Sequence, residues 1–135
     1  MPTFTTTRIV EFSDTDMAGI VHFAEYFRYM EAAEHAFLRS RGIQVFHDWA
    51  GQRLTFPRVS ATCDYLAPAR FGDTLTLEVA VAHLGRTSIR YAHSIQREGT
   101  TLARGAVTAV LCRVRDDHTL EPFLIPDELR QLLTD

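Results

Sequence analysis

The fold is decided by residues 20–42, IVHFAEYFRYMEAAEHAFLRSRG, where apolar side chains recur every three or four positions. This spacing places one set of side chains on a single helical face: Ile20, Phe23, Phe27, Met30, Ala33 and Phe37. Gly42 follows Arg39 and Arg41, and a glycine after a basic last turn is typical of a helix end. We therefore predict a helix from Ile20 to Arg41, roughly 30 Å long.

Segments rich in β-branched and aromatic residues lie on both sides of this helix. The first runs from Thr3 to Phe12 and ends in a polar loop at residues 13–16. Four longer segments follow the helix: Phe56–Leu66, Thr74–Leu84, Thr87–Glu98 and Thr100–Val114. The breaks at Gly85-Arg86 and at Gly99 are short enough for hairpins, so we expect an antiparallel sheet.

Two shorter segments complete the predicted order of elements. We expect a short helix around Val45, Phe46 and Trp49, and a terminal helix at Pro126–Leu133 that begins with proline. One long helix with a sheet of about five strands curled around it predicts an α+β fold in a single domain, residues 1–135. The sheet offers more apolar surface than one helix covers, so we expect a homo-oligomer, a dimer or a tetramer.

The composition excludes several functional classes. The chain has 135 residues, 46% hydrophobic and 23% charged, which is typical of one globular domain. All 14 basic residues are arginine, so no lysine can form a Schiff base or bind phosphate in a Walker loop. The net charge is −3 and the arginines are scattered, which argues against a nucleic-acid partner.

Other patterns point to a cytoplasmic, metal-independent protein. The chain has no apolar run of ~20 residues and no signal-like segment, so we expect no membrane insertion. Cys63 and Cys112 are then expected to be reduced thiols. The histidines lack ligand spacing, and we predict neither a metal nor a cofactor; they are His22, His35, His47, His83, His93 and His118.

A specific resemblance begins at residues 11–38, EFSDTDMAGIVHFAEYFRYMEAAEHAFL. The pattern consists of an acidic D-x-D, a glycine, an apolar pair, an aromatic pair and a tyrosine: Asp14, Asp16, Gly19, Ile20-Val21, His22-Phe23 and Tyr26. Residues 56–75, FPRVSATCDYLAPARFGDTL, and 84–91, LGRTSIRY, extend it. The chain resembles the 4-hydroxybenzoyl-CoA thioesterase family of hot-dog-fold acyl-CoA thioesterases, and is similar to 1,4-dihydroxy-2-naphthoyl-CoA thioesterases.

Thioester hydrolysis needs an activated oxygen nucleophile and a donor to the oxyanion. Asp16, in a loop before a helix, could attack the thioester or deprotonate a water, and the pattern does not choose between them. The helix-start N–H groups near Val21 to Phe23 could bind the oxyanion. The resemblance implies that Phe23 supplies this N–H and that Gly19 lets the substrate approach. The alternative role of Asp16 is a helix cap, and we expect Asp14 to stabilise the loop.

The resemblance also implies the substrate-binding residues. We expect His22 and Tyr26 to line the acyl pocket, although His22 could also face solvent or a neighbouring subunit. Arg86, with Thr87 and Ser88, is expected to bind the CoA phosphates. In related proteins these contacts come from the neighbouring subunit, so the site should require the oligomer. We expect Arg58 and Arg70 to be simply solvated.

The details favour the branch of the family with aromatic substrates. Members with aliphatic substrates usually have Tyr-His at the positions of His22-Phe23. Separately from the choice of branch, Glu25 stands where the family commonly has an asparagine before the tyrosine. Glu31, expected to be partly buried, is the alternative catalytic carboxylate, with Glu34 a further candidate. Alternative functions are hydrolysis of aliphatic acyl-CoA or of acyl-carrier-protein thioesters, and thioester binding without catalysis. A hydratase is disfavoured because its His and Pro-Pro-Gly pattern is missing.

Overall fold

A five-stranded antiparallel sheet packs against one long helix in the computed structural model, which describes residues 2–44, 47–49 and 51–135. The helix, α1, spans Glu25–Ser40. The strands are β1 (Phe4–Ile9), β4 (Arg58–Tyr65), β5 (Thr74–Leu84), β6 (Ser88–Arg97) and β7 (Thr100–Val110). Their order across the sheet is β1-β5-β6-β7-β4. The predicted α+β architecture with about five strands is confirmed.

A second, smaller sheet has the order β2-β3-β8-β9. Its strands are β2 (His47–Trp49), β3 (Gln52–Thr55), β8 (Cys112–Val114) and β9 (Leu120–Pro122), and the terminal helix α2 spans Asp127–Thr134. Neither described helix is long and apolar enough to cross a bilayer. Cys63 and Cys112 are free thiols.

The core lies between α1 and the large sheet. The helix contributes Tyr26, Tyr29, Met30, Ala33, Phe37 and Leu38, all at most 3% exposed. Alternate residues of β5 and β6 face them, as expected for strands with one covered face: Leu75, Leu77, Val79, Val81, Ile89, Tyr91 and Ile95. Of the predicted apolar stripe, Phe37 is fully buried and Phe27 is partly buried, whereas Phe23 is 64% exposed.

The helix begins five residues later than predicted. Ile20 and Val21 form isolated β-bridges with Arg70 and Thr15. Their backbone groups are therefore committed to neighbouring segments, and the helical ladder starts at Glu25, with Ala24 as the N-cap residue. The predicted helix end is correct: Gly42 has φ 74°, and the Ile43 N–H donates to the Leu38 carbonyl oxygen at 2.8 Å.

Two other expectations were wrong in detail. The expected helix around Trp49 is strand β2, which pairs antiparallel with β3 in a hairpin through Gly51, while Val45 and Phe46 lie outside the described residues. The expected strand from Thr100 to Val114 is interrupted at Leu111, whose N–H donates to the Thr87 carbonyl oxygen at 2.7 Å. The chain then continues as β8 in the smaller sheet.

Strand β4 is exposed along both faces at one edge of the large sheet. Seven of its eight residues are exposed, and Cys63 is half-buried. Apolar side chains are among them, with Val59 63% exposed and, just after the strand, Leu66 56% exposed. An open edge strand with apolar side chains is a surface on which further strands can pair.

Candidate active site

The loop before α1 is anchored by Asp14, which is 5% exposed in a 3-10 turn at Phe12–Asp14. Its Oδ2 accepts the Glu11 N–H and the Tyr29 hydroxyl, each at 2.9 Å. Burial and the Asp14 carboxylate together raise the pKa of Tyr29, which therefore stays a donor. Asp14 thus ties the loop to the first turns of α1.

Asp16 follows this anchored turn and has an exposed carboxylate. Its Oδ1 accepts the Ala18 N–H at 2.8 Å, and its backbone N–H donates to the Ile20 carbonyl oxygen at 2.8 Å. Gly19 has φ 80°, a conformation that favours glycine, and closes the turn with an N–H donated to the Asp16 carbonyl oxygen. Asp16 does not cap α1, because the helix begins nine residues later.

The segment between the loop and the helix leaves one backbone donor unused. The Val21 N–H donates to the Ala69 carbonyl oxygen at 2.8 Å, and the His22 N–H to the Asp14 carbonyl oxygen at 2.9 Å. Within residues 2–44, 47–49 and 51–135, the structure gives the Phe23 N–H no acceptor. Of the three predicted oxyanion donors, Phe23 is therefore the one still available.

Asp16, Phe23 and Tyr26 border one cavity of about 420 Å³, whose lining is largely apolar. The other residues that line it are Ile20, Val21, Tyr65, Leu66, Ala67 and Pro68. The Tyr26 ring meets the Tyr65 ring edge-on, with centroids 5.1 Å apart. Burial raises the pKa of Tyr26, partly offset by a hydrogen bond with the Ala69 backbone, which keeps the phenol neutral.

His22 is exposed and does not line this cavity in the described part of the chain. Its Nδ1 accepts the Ala24 N–H at 3.2 Å, and its ring stacks on Phe23 with centroids 4.7 Å apart. The side chain is thus directed to the backbone of the helix start.

Arg86, Thr87 and Ser88 lie far from Asp16 within one chain. They form the β5–β6 hairpin, where Ser88 pairs with Val110 at one end of β7. Tyr65, which lines the same cavity as Asp16, pairs with Ala103 near the other end of β7. Ala103 in turn pairs with Ile95 of β6. Ser88 and Ile95 are seven positions apart along β6, which separates the two ends by roughly 23 Å. A single chain does not bring these residues to the cavity.

The alternative carboxylates lie at a separate cavity of about 150 Å³ between α1 and β4. Glu31 is 56% exposed, so its expected partial burial was wrong; its carboxylate lies 3.9 Å from the Arg58 guanidinium. Glu34 is buried instead, with its Oε1 3.0 Å from the Arg58 guanidinium, so Arg58 is not simply solvated. Burial raises the pKa of Glu34 to about 7, against the opposing effect of Arg58.

A larger cavity of about 520 Å³ lies between the β2–β3 hairpin and the β8–β9 turn. It is polar, and its residues come from 51–53 and 113–117, outside the three stretches that carry the resemblance. The chemistry is therefore expected at the cavity next to Asp16.

A family model described as "Thioesterase superfamily" matches residues 18–104, nearly two thirds of the chain. The chain belongs to the thioesterase superfamily. This membership confirms the expected thioester hydrolase, and the matched region includes Gly19, Phe23, Tyr26 and the Arg86 hairpin.

Named thioesterases from several bacteria are similar to this superfamily member over most of its length. A 1,4-dihydroxy-2-naphthoyl-CoA hydrolase from a Synechococcus species is 31% identical, with 94% of this chain and 86% of the relative covered. The acyl-CoA thioester hydrolase YbgC of Escherichia coli is 29% identical, with 89% and 87% covered.

Solved structures confirm the hot-dog fold of this superfamily member. A 1,4-dihydroxy-2-naphthoyl-CoA thioesterase from Synechocystis aligns with a TM-score of 0.84 at 24% identity, covering 98% of this chain and 96% of the other. The 4-hydroxybenzoyl-CoA thioesterase from a Pseudomonas species aligns with a TM-score of 0.82 at 23% identity, covering 96% and 98%.

One residue at the cavity next to Asp16 was not identified from the sequence. Tyr65 lines the cavity, and its hydroxyl donates to the Phe23 carbonyl oxygen at 2.9 Å. The contact spans 42 positions, and no local spacing relates the end of an edge strand to a helix start. Tyr65 lies within residues 56–75, one of the stretches that carry the resemblance, but the resemblance assigned it no role.

Proposed function

We propose that this thioesterase hydrolyses an aromatic acyl-CoA, of the hydroxybenzoyl or dihydroxynaphthoyl class, to the free acid and CoA, with Asp16 as the catalytic carboxylate. The observation that carries the proposal is the shared cavity of about 420 Å³, bordered by the exposed Asp16 carboxylate and by Phe23, whose N–H has no acceptor among the described residues. A nucleophile or base and an oxyanion donor then face one substrate carbonyl.

The chemistry follows from these two groups. Asp16 either attacks the thioester carbonyl carbon or removes a proton from a water that attacks it. Charge develops on the carbonyl oxygen, where the Phe23 N–H near the positive end of α1 stabilises it. The C–S bond then breaks, and CoA leaves as the thiolate, which takes up a proton. If Asp16 is the nucleophile, a water then hydrolyses the mixed anhydride formed on Asp16, releasing the free acid and the Asp16 carboxylate. If Asp16 is the base, the water adds directly, and the proton that Asp16 has taken passes to the leaving thiolate. Gly19 carries no side chain that would obstruct the approach to Asp16.

The aromatic preference is supported by the cavity lining and by the relatives. Phe23, Tyr26 and Tyr65 provide ring surfaces on which an aromatic acyl group can pack. Several relatives are named 1,4-dihydroxy-2-naphthoyl-CoA hydrolases. The second candidate is an aliphatic acyl-CoA, favoured by the similarity to the acyl-CoA thioester hydrolase YbgC at 29% identity.

The proposed active form is a homo-oligomer, a dimer or a tetramer of hot-dog subunits. Antiparallel pairing of β4 with β4 of a second copy would place the Arg58 end of one strand beside the Tyr65 end of the other. The hairpin of Arg86, Thr87 and Ser88 lies at the Arg58 end, since Ser88 and Arg58 pair with neighbouring residues of β7. The partner would thereby bring its CoA-binding residues toward this Asp16.

The test is a thiol-release assay on a panel of aromatic and aliphatic acyl-CoAs, with the variants Asp16→Ala and Asp16→Asn. We expect the parent protein to prefer aromatic thioesters and kcat to fall about 10²- to 10⁴-fold in both variants, because the nucleophile or base is lost. Asparagine keeps an oxygen that can accept the Ala18 N–H, so the turn should persist and binding of benzoyl-CoA in equilibrium dialysis should remain.

The outcomes separate the parts of the proposal. Unchanged turnover in both Asp16 variants would refute the catalytic role and make Glu31 and Glu34 the next carboxylates to replace. Faster turnover of hexanoyl-CoA than of benzoyl-CoA would instead favour the aliphatic candidate and leave the role of Asp16 intact.

A further inference from the structure

The peptide that joins Phe23 to Ala24 has both of its polar atoms bound by side chains. The Tyr65 hydroxyl donates to the Phe23 carbonyl oxygen at 2.9 Å. The Ala24 N–H donates to His22 Nδ1 at 3.2 Å. Backbone groups at a helix start normally have water or a capping side chain as partners, so two side-chain bonds to one peptide restrict its rotation.

The neighbouring peptides are fixed as well. The His22 N–H donates to the Asp14 carbonyl oxygen, and the Glu25 N–H donates to the His22 carbonyl oxygen, both at 2.9 Å. Within residues 21–25, all of them described, only the Phe23 N–H is left without an acceptor. The free donor therefore lies between two restrained peptides.

Tyr65 is suited to hold this peptide from the sheet. It ends edge strand β4, and its ring packs edge-on against the buried Tyr26 ring, with centroids 5.1 Å apart. Partial burial raises the pKa of Tyr65, so the phenol remains an O–H donor at neutral pH. His22 binds the other polar atom of the same peptide, the Ala24 N–H. Its Nδ1 accepts this bond in the tautomer that carries the ring proton on Nε2.

We propose that Tyr65 and His22 are positioning residues that clamp the Phe23–Ala24 peptide and thereby keep the Phe23 N–H aimed at the thioester oxygen. The inference rests on the proposed function, because it assigns a purpose to an N–H that would serve that reaction. Neither residue needs to touch the substrate; both act through the backbone. An oxyanion donor that is fixed before charge develops stabilises the transition state without reorganisation.

Steady-state kinetics of Tyr65→Phe, which loses only the hydroxyl, test the clamp. We expect kcat to fall about tenfold while KM changes less than about twofold, since the lost orientation affects the transition state more than the ground state. Tyr91→Phe is the matched control: this buried hydroxyl, in another part of the core, has no hydrogen-bond partner among the described residues. Its kcat should equal that of the parent.

His22 is tested by rescue. His22→Ala removes the acceptor of the Ala24 N–H and should lower kcat about three- to tenfold. Asparagine side chains readily accept the N–H two residues on, so His22→Asn should restore most of the kcat. Equal losses in the alanine and asparagine variants would overturn the role of His22.

Infrared spectroscopy tests directly whether the thioester carbonyl of a bound substrate accepts the Phe23 N–H. The probe is benzoyl-CoA labelled with ¹³C at the thioester carbonyl, bound to Asp16→Asn and to the double variant Asp16→Asn/Tyr65→Phe. We expect the infrared carbonyl band to shift to lower frequency on binding, and to shift less in the double variant. Identical bands in the two proteins, or an unchanged kcat in Tyr65→Phe, would refute the clamp.

These results remain distinguishable from a failure of the proposed function. If the parent protein hydrolyses no acyl-CoA of the panel, the proposed function fails and the clamp fails with it. If the parent is active and loses activity in Asp16→Asn but not in Tyr65→Phe, only the clamp is wrong.

Discussion

At the scale of single residues, two buried ionisable side chains make the stability depend on pH in opposite directions. Burial raises the pKa of Glu34 to about 7 from 4.5, and burial lowers the pKa of His93 to about 4 from 6.5, with Arg58 adding to the effect on His93. Between pH 4.5 and 7 the folded state keeps a proton on Glu34 that the unfolded chain releases, so stability falls as pH rises. Between pH 6.5 and 4 the unfolded chain protonates His93 first, so stability falls as pH drops.

Glu34→Gln should remove the Glu34 contribution to the pH dependence of the free energy of unfolding and leave that of His93. Relative to the parent, the variant should gain free energy of unfolding as pH rises from 4.5 to 7, by about 3 kcal/mol at most, because glutamine has no proton to release. Urea denaturation at half-unit pH intervals measures this gain. Ser40→Ala, an exposed position on the same helix where no titratable group is removed, is the control and should differ from the parent by a nearly constant amount. A constant difference for Glu34→Gln as well would contradict the prediction.

The candidate residues differ in how readily the sequence predicts them. Asp16, Gly19, Phe23 and Tyr26 lie within eleven consecutive positions, so local order alone identified them as one group. Tyr65 could not be found in this way, because its relation to Phe23 depends on which strand forms the sheet edge beside α1. Burial of Glu34 instead of Glu31 depends on the helical phase, which the wrong helix start obscured.

At the scale of elements, α1 approaches β7 closely at Gly105. A Cβ atom at this position would lie 2.7 Å from the Thr62 carbonyl oxygen of β4 and would also collide with the Met30 side chain. The missing side chain thus lets the helix pack directly on the two strands. Residue size at one sheet position therefore sets the distance between helix and sheet.

Gly105→Ala should destabilise the protein by about 1 to 3 kcal/mol, because the backbone of β4 or α1 must move to admit the methyl group. Urea denaturation gives the free energy of unfolding. Ala106→Ser, at the next position of β7, is the control and should change it by less than about 0.5 kcal/mol. A Gly105→Ala protein as stable as the parent would show that α1 is not closely packed there.

Strand periodicity predicted the long elements well, but not their short interruptions. Each of β5, β6 and β7 falls within its predicted segment because hydrophobic alternation extends over ten residues or more. The start of α1 was displaced because Ile20 and Val21 fit the helical stripe yet bond to Arg70 and Thr15. The local spacing of apolar residues does not reveal such long-range backbone partners.

At the scale of the whole molecule, the two edges of the large sheet are β1 and β4. We predict that Thr62→Glu, at the middle of β4, converts the proposed oligomer to smaller species and lowers thiol release, because like charges would meet where β4 pairs with β4 of the second copy. Sedimentation velocity at micromolar protein measures the change. Thr7→Glu on β1 is the matched control and should leave the β4 pairing and the activity intact. An active monomer in Thr62→Glu would refute the shared site.

The bond from Tyr65 to Phe23 also constrains how the protein folds. Strands β5, β6 and β7 form a meander of local hairpins, whereas β4 joins β7 across a sequence separation of 38 residues at Tyr65 and Ala103. Contacts of large sequence separation cost more loop-closure entropy and form late. Helix α1 can therefore be complete before Tyr65 binds the Phe23 carbonyl oxygen next to Asp16. During refolding, hydrolytic activity should return with the docking of β4 on β7, after the helical signal has already recovered.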